Sequence, residues 1–266
     1  MSLFEVADLR LAVPDLAEKR PFRAAPSIEI LRGLSFAIAE GASVGIVGES
    51  GSGKSTLGRA LVRLMEPTGG TIRFRGEDIT HRDAAAMRPL RRDLQVIFQD
   101  PSSSLNPRHT VGRIIAGPLR FHGVEGVKGR VAAVLEEVGL PAQTARRYPH
   151  ELSGGQRQRV GIARAVALSP RFIFADEIVS GLDTSTQAQV IALIERLRAD
   201  HGLTLAFVSH DLSVVRHLCE RLIVLQNGRI VEEGDTATIF EAPQHPHTQA
   251  LKAAIPLPEV EAGWLG

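Results

Sequence analysis

Residues 48–56 read GESGSGKST. Gly48, Gly53, Lys54 and Ser55 stand at the spacing of a loop that cradles phosphates. Glycine lets the backbone N–H groups of the loop, which runs through Glu49, Ser50, Gly51 and Ser52, curl around an anion without side-chain clashes. Lys54 would add positive charge toward the β- and γ-phosphates of a nucleotide. The Ser55 hydroxyl could ligate Mg²⁺, and Thr56 completes the motif. The apolar run ASVGIVG (42–48) leads into the loop as a strand, and KSTLGRALVRLM (54–65) leaves it as an amphipathic helix. That helix would turn its positive end to the same anion. A purely structural glycine turn is the alternative, and the strand and helix on either side speak against it.

A second group of residues could complete the chemistry. The apolar strand RFIFADE (171–177) ends in two carboxylates. Asp176 would hold the magnesium through its water shell. Glu177, one residue later, points elsewhere and could accept a proton from an attacking water. Gln99 ends the strand QVIF and could reach both metal and water, and His210 ends LAFVS. Carboxylates, glutamines and histidines at strand ends are common and weak signals singly. In an open α/β sheet all of these strand ends would converge on one crevice.

A third stretch, HELSGGQRQRVGIARAV (150–166), is an odd helix start. Ser153, Gly154, Gly155 and Gln156 form a donor-rich tip before an apolar-periodic run. The helix end offers free N–H groups and a partial positive charge. Such a tip is odd on a helix that could have been capped more simply.

These residues need a scaffold. SIEILRGLSFAIA (27–39), LFEVADLRL (3–11), TIRFRG (71–76) and DLQVIFQD (93–100) read as strands. Residues 110–168 read as almost entirely helical. Strand–helix alternation resumes with RFIFA (171–175), a helix over 184–200, LTLAFVS (203–209), a helix over 212–219 and RLIVLQ (221–226). QNGRIVEEG (226–234) is a hairpin with an Asn-Gly turn. The fold class is therefore α/β, with a mostly parallel buried sheet interrupted by an inserted helical subdomain. At 266 residues, 44% hydrophobic and 23% charged, the composition is that of an ordinary globular chain. A net charge of +1 gives no global case for nucleic acid. No apolar run has the length of a membrane span, and the N-terminus lacks the apolar core of a signal peptide, so the cytosol is the expected compartment. Cys219 alone makes no internal disulfide and reads as a small apolar residue on the helix 212–219.

Taken in order, these motifs resemble the ATP-binding subunits of ABC transporters. The matching residues are the Walker A loop GESGSGKST, Gln99 as the Q-loop residue and the signature LSGGQ (152–156). The Walker B run FIFADE (172–177), the D-loop SGLD (180–183) and the switch histidine in SHD (209–211) complete the set. The resemblance covers nearly the whole chain. It implies a P-loop NTPase fold with an antiparallel β subdomain, as one domain over 1–266. The helical subdomain would lie at about 100–168 and a C-terminal extension at about 235–266. It also implies ATP and Mg²⁺ as cofactors, with Ser55, Gln99 and Asp176 serving the metal. Glu177 would polarise water, His210 would sense the γ-phosphate, and Asp183 would couple two sites. The tip at Ser153–Gln156 would face the γ-phosphate held by a second ATP-binding subunit, in a head-to-tail dimer with two ATPs sandwiched between. Transmembrane permease subunits would be the direct partners, an extracytoplasmic solute-binding protein an indirect one, and nucleic acid none. The place of work would be the cytoplasmic face of the inner membrane, peripherally.

VIFQDPSSSLNP (96–107) and HPHTQALKAAIP (245–256) look like the oligopeptide/dipeptide/nickel importer branch. An export ATPase, or a cassette ATPase acting on DNA or ribosomes, is the rival reading. Two departures stand out. Ile178 follows Glu177 where many relatives have proline. Where relatives usually stack an aromatic ring on adenine, at the end of the first strand, this chain offers Val13. Phe22, in the loop KRPFRAAP, is the nearest aromatic. Either Phe22 substitutes for the ring or adenine is held by apolar contact alone. HPH (245–247) is expected to be a proline-bracketed turn with exposed histidines.

Overall fold

Five short apolar segments supply the centre of the computed structural model, which describes residues 2–15, 26–100 and 104–254. β3 (Ser43–Val47), β7 (Phe172–Asp176) and β8 (Thr204–Val208) are buried at every position. Strands buried on both faces read as continuous apolar runs, which is why they form the middle of a parallel sheet. With β6 (Leu94–Ile97), β9 (Arg221–Gln226) and β10 (Arg229–Asp235) they give the order β10-β9-β3-β8-β7-β6. All pairs are parallel except β10 on β9. That last pair closes through Asn227 and Gly228, both at positive φ, the conformation an Asn-Gly hairpin turn requires.

A second sheet is antiparallel, in the order β2-β1-β4-β5, from β1 (Ser2–Pro14), β2 (Ser27–Ala39), β4 (Gly69–Phe74) and β5 (Glu77–Asp78). The last six residues of β2 alternate buried and exposed, the mark of a sheet with one wet face. Phe4 of β1 joins the two sheets, its ring edge-on to Phe172 of β7 at 4.7 Å between centroids.

α1 (Lys54–Leu61) lies between the sheets. It crosses the central sheet so closely that a Cβ on Gly58 would fall 2.0 Å from the ring of Phe174. α2 (Ala84–Leu90) and β5 were not anticipated from the sequence, and α1 ends four residues sooner than its apolar periodicity predicts.

Between β6 and β7 the chain forms α3 (Val111–Phe121), α4 (Val127–Glu137), two 3₁₀ turns and α5 (Gly154–Val166). Arg130 ties this layer together. Its guanidinium donates to the carbonyls of Val166 and Ala167 at 3.0 and 2.9 Å, and to Glu137 at 2.6 Å. α6 (Thr184–His201) and α7 (Leu212–Leu218) flank the resumed sheet. Cys219 follows α7 rather than ending it. It is buried, and burial pushes its thiol up to about 12, so it packs as a small apolar group.

The tail corrects the sequence expectation. Residues 245–247 are not a turn with exposed histidines. α8 (Thr236–Glu241) is followed by α9 (Pro246–Ala253), which His245 caps and in which His247 is buried. Proline at the first helical position is favoured because it has no N–H to leave unpaired. Among the described residues no helix is long and apolar enough to cross a membrane.

The close crossing of α1 gives a stability test. Gly58→Ala should destabilise the fold by about 1–3 kcal/mol through overpacking against Phe174, although alanine is the better helix former. Urea denaturation checks this, and an unchanged or raised midpoint would contradict the packing.

Candidate nucleotide site

The glycine loop joins β3 to α1. Gly48, Gly51 and Gly53 take φ of 147°, 80° and 104°, a region side chains strain to reach. Glu49 and Ser50 are exposed, Thr56 is half-buried, and Ser52 is buried with its hydroxyl unpartnered among the described residues. The Ser52 carbonyl accepts the N–H of Gly228 at 3.1 Å, so the β9–β10 hairpin supports the loop from below.

Lys54 is buried, and its ammonium donates to the carbonyls of Gly48 at 2.8 Å and Glu49 at 2.7 Å. Burial lowers its pKa from the usual lysine range, against the opposing pull of the Glu177 and Asp176 carboxylates. α1 begins on Gly53 with no side-chain cap. Side chains of Asp83, Thr110, Asp183, Asp211 and Asp235 cap α2, α3, α6, α7 and α8. α4 likewise starts on an uncapped glycine, Gly126, but only at α1 do the first N–H groups lie beside a buried cation, an arrangement that suits an anion.

Asp176 and Glu177 face different partners. The Ser55 hydroxyl donates to Asp176 Oδ1 at 2.9 Å. Burial raises the Asp176 pKa, while Ser55 and Arg59 pull it down. Glu177 sits at φ 49°, strained for a residue with a side chain. Three hydrogen bonds hold it there. Its N–H donates to Val208 at 3.0 Å, and its carbonyl accepts from the N–H and hydroxyl of Ser180 at 3.1 and 2.8 Å. The kink brings the Glu177 carboxylate to Gln99, whose Nε2 donates to Oε2 at 2.9 Å. His210 Nδ1 stands 3.7 Å from the same oxygen. Ile178 is fully buried behind this turn.

The donor chemistry at Ser55, Asp176 and Gln99 is hard oxygen, which suits magnesium. Among the described residues no cluster of three or more His, Cys, Asp or Glu could hold a metal unaided. A cation here would have to share its coordination with phosphate oxygens.

The tip at residues 153–156 overturns one expectation: it is capped. The Ser153 hydroxyl accepts the Gln156 N–H at 3.3 Å, and the Gln156 side chain accepts the Ser153 N–H at 3.1 Å, a reciprocal capping box. Among the described hydrogen bonds none uses the N–H of Gly154 or Gly155. The two glycines have different reasons. A Cβ on Gly154 would meet nothing within 4 Å, whereas one on Gly155 would fall 2.5 Å from Thr186 Cγ2. Gly155 is thus required by the packing of α5 on the start of α6. Asp183 caps α6 through the N–H of Thr186, and the Ser185 and Thr186 hydroxyls hold its carboxyl well below the usual range. Among the described hydrogen bonds and ion pairs, none joins residues 153–156 or Asp183 to the loop 48–56.

Val13 pairs with Ile28 across β1 and β2, and Ile28 is exposed. Phe22 lies outside the described residues.

The ABC transporter family model matches residues 31–180. The chain belongs to the ABC transporter family. It is 51% identical over 256 residues to a putative peptide import ATP-binding protein of Brucella ovis, covering 95% of this chain and 80% of that one. It is 46% identical to a putative oligopeptide transport ATP-binding protein of Bacillus subtilis, covering 98% and 78%. A glutathione import ATP-binding protein of Salmonella paratyphi A is 49% identical, covering 88% of this chain and 38% of that longer one. Among solved structures it resembles the dimeric, post-hydrolysis ATP-binding cassette MJ0796 bound to ADP and Pi. There the TM-score is 0.75 at 30% identity, over 88% of this chain and 98% of that one. This ABC cassette binds ATP and is an ATPase.

The capping box has a measurable cost. Ser153→Ala should lower the stability of the nucleotide-free cassette by about 1 kcal/mol. Equal denaturation midpoints for variant and wild type would contradict the cap.

Proposed function

We propose that this chain is the ATP-hydrolysing subunit of an importer for peptides or a similar small solute, working on separate membrane subunits from the cytoplasmic face. One observation carries the hydrolytic part: Asp176 pairs with Ser55 while Glu177, its neighbour, meets Gln99 and His210. The strained backbone of Glu177 turns the second carboxylate away from the first. The names of the relatives support the import reading and the cargo class. The whole chain would be one cassette, with its helical subdomain between β6 and β7.

In this reading Lys54 and the loop N–H groups bind the phosphates. Ser55, Asp176 and Gln99 would hold Mg²⁺, which would supply positive charge against the phosphates. Glu177 takes a proton from the attacking water, and Gln99 orients that carboxylate. His210 lies beside Glu177, where it can report an intact γ-phosphate. The Gly154–Gly155 tip and Asp183 serve the ATP of a second ATP-binding subunit, the same chain or a homologue, in a head-to-tail pair. The missing contacts between tip and loop within one chain support that division.

The surface beside Gln99 suits the membrane subunits. A groove of about 440 Å³ is lined by Val96, Phe98, Pro118, Phe121 and Arg164. Phe121 and Leu64 on its rim are among the few large apolar side chains left exposed. Residues 101–103 of the importer-like stretch VIFQDPSSSLNP lie outside the described residues.

Two results test this. Glu177→Gln keeps the shape and the Gln99 contact but cannot take a proton. ATP binding should persist while turnover falls by about 10²–10⁴, and near-normal turnover in a clean preparation would refute the role. Phe121→Asp should cut stimulation of the ATPase by the membrane subunits several-fold and spare basal activity. Equal loss of both would count against the groove.

A further inference from the structure

The tail after β10 folds back onto the base of the phosphate loop. The Glu232 carboxylate accepts the N–H groups of Gln244 and His245 at 2.8 and 3.1 Å, which fixes the entry to α9. His245 Nδ1 then accepts the N–H of His247 at 3.2 Å, and Lys252 donates to the Glu241 carbonyl at 3.3 Å. Leu251 lies against the apolar group formed by Val47, Ile239 and Phe240. Val47 is the residue immediately before Gly48.

His247 reaches the other side of that glycine. Its side chain is 4% exposed, and Nδ1 stands 3.7 Å from the Glu49 carboxylate, itself largely exposed. The second ring nitrogen, Nε2, is buried with no partner among the described residues. An imidazole buried with one nitrogen unsatisfied costs free energy, so packing alone would favour an apolar residue here. The other ring nitrogen, Nδ1, faces the Glu49 carboxylate across 3.7 Å, within ion-pair range when the ring is protonated and beyond a direct hydrogen bond. Glu49 thus has two neighbours, the His247 ring 3.7 Å from its carboxylate and the Lys54 ammonium on its carbonyl at 2.7 Å.

We propose that His247 is a positioning residue for the phosphate loop: from the tail helix it fixes Glu49 and so pre-shapes the loop that receives ATP. A loop already ordered loses less conformational freedom on binding, so the contribution appears in ATP affinity rather than in the chemical step. This inference rests on the reading of residues 48–56 as the ATP site; His247 lies outside the stretch that the family model matches, and Glu49 lies within it.

The test uses the full chain, with ATP binding by calorimetry and steady-state hydrolysis side by side. His247→Leu fills the same space without a donor. It should raise Kd and KM for ATP at least about threefold while kcat moves less than about twofold. His247→Asn restores an N–H near the Nδ1 position and should recover most of the loss. Glu49→Ala, at an exposed side chain that does not threaten folding, should weaken ATP to a similar degree. In the double variant with His247→Leu the two losses should not add. Unchanged Kd and KM in folded His247→Leu, or in Glu49→Ala should the histidine variants not fold, would overturn the proposal. So would fully additive losses. Lys54→Ala separates the two levels. If it leaves ATP binding intact, the loop assignment itself fails; if it abolishes binding while His247→Leu is silent, only the role of His247 fails.

Discussion

Lys54 is a cation held inside the protein, with two loop carbonyls as its hydrogen-bond acceptors. A buried ammonium with so little compensation is costly unless an anion completes its surroundings. Much of the molecule can be read as the set of supports that this arrangement requires. β3 carries the loop in, and α1 leaves it with an uncapped end. The central strands β7 and β8 bring Asp176 and His210 to the same edge of the sheet. The Asp176 and Glu177 carboxylates offset the cost of the lysine charge without neutralising it by direct contact. The triphosphate of ATP, which this cassette binds, supplies negative charge there.

The second constraint is geometric. Glu177 must leave the line of β7 to meet Gln99 and His210, and it does so at a backbone angle that glycine would adopt more easily. Three hydrogen bonds from Val208 and Ser180 overdetermine that angle. Strain held in this way at a strand end is what the proposed role of Glu177 calls for. The signature tip obeys a different logic. It is stabilised locally by its capping box and by the fit of Gly155 against Thr186.

Much of this was readable in the residues because it depends on local spacing. The phosphate loop is nine consecutive residues between a strand and a helix, and Asp176, Glu177, Gln99 and His210 mark strand ends. The capping box was also open to reading, since serine followed three residues later by glutamine is its signature; the adjacent glycines drew the interpretation toward an uncapped end instead. Proline after His245 was a helix-start signal of the same kind. The burial of His247 against Glu49 and the contact of Gly155 with Thr186 are tertiary facts, set by the return of the tail and by the crossing of two helices. No spacing rule encodes them. α2 and β5 escaped because they are short and weakly patterned. Which group holds adenine turns on Phe22, which lies outside the described residues, and on the exposed Ile28 beside Val13.

The central claim is that one chain holds two halves of different sites, a loop for its own ATP and a tip for its partner's. The direct measurement is molecular mass in solution by light scattering, with and without Mg-ATP, in a Glu177→Gln background that slows turnover. The account predicts a doubling of mass with ATP, and its loss when Gly154→Asp is added, although that position has open space around it and single-chain ATP binding persists. A double variant that still dimerises with ATP, or one that loses ATP binding as a monomer, would contradict it.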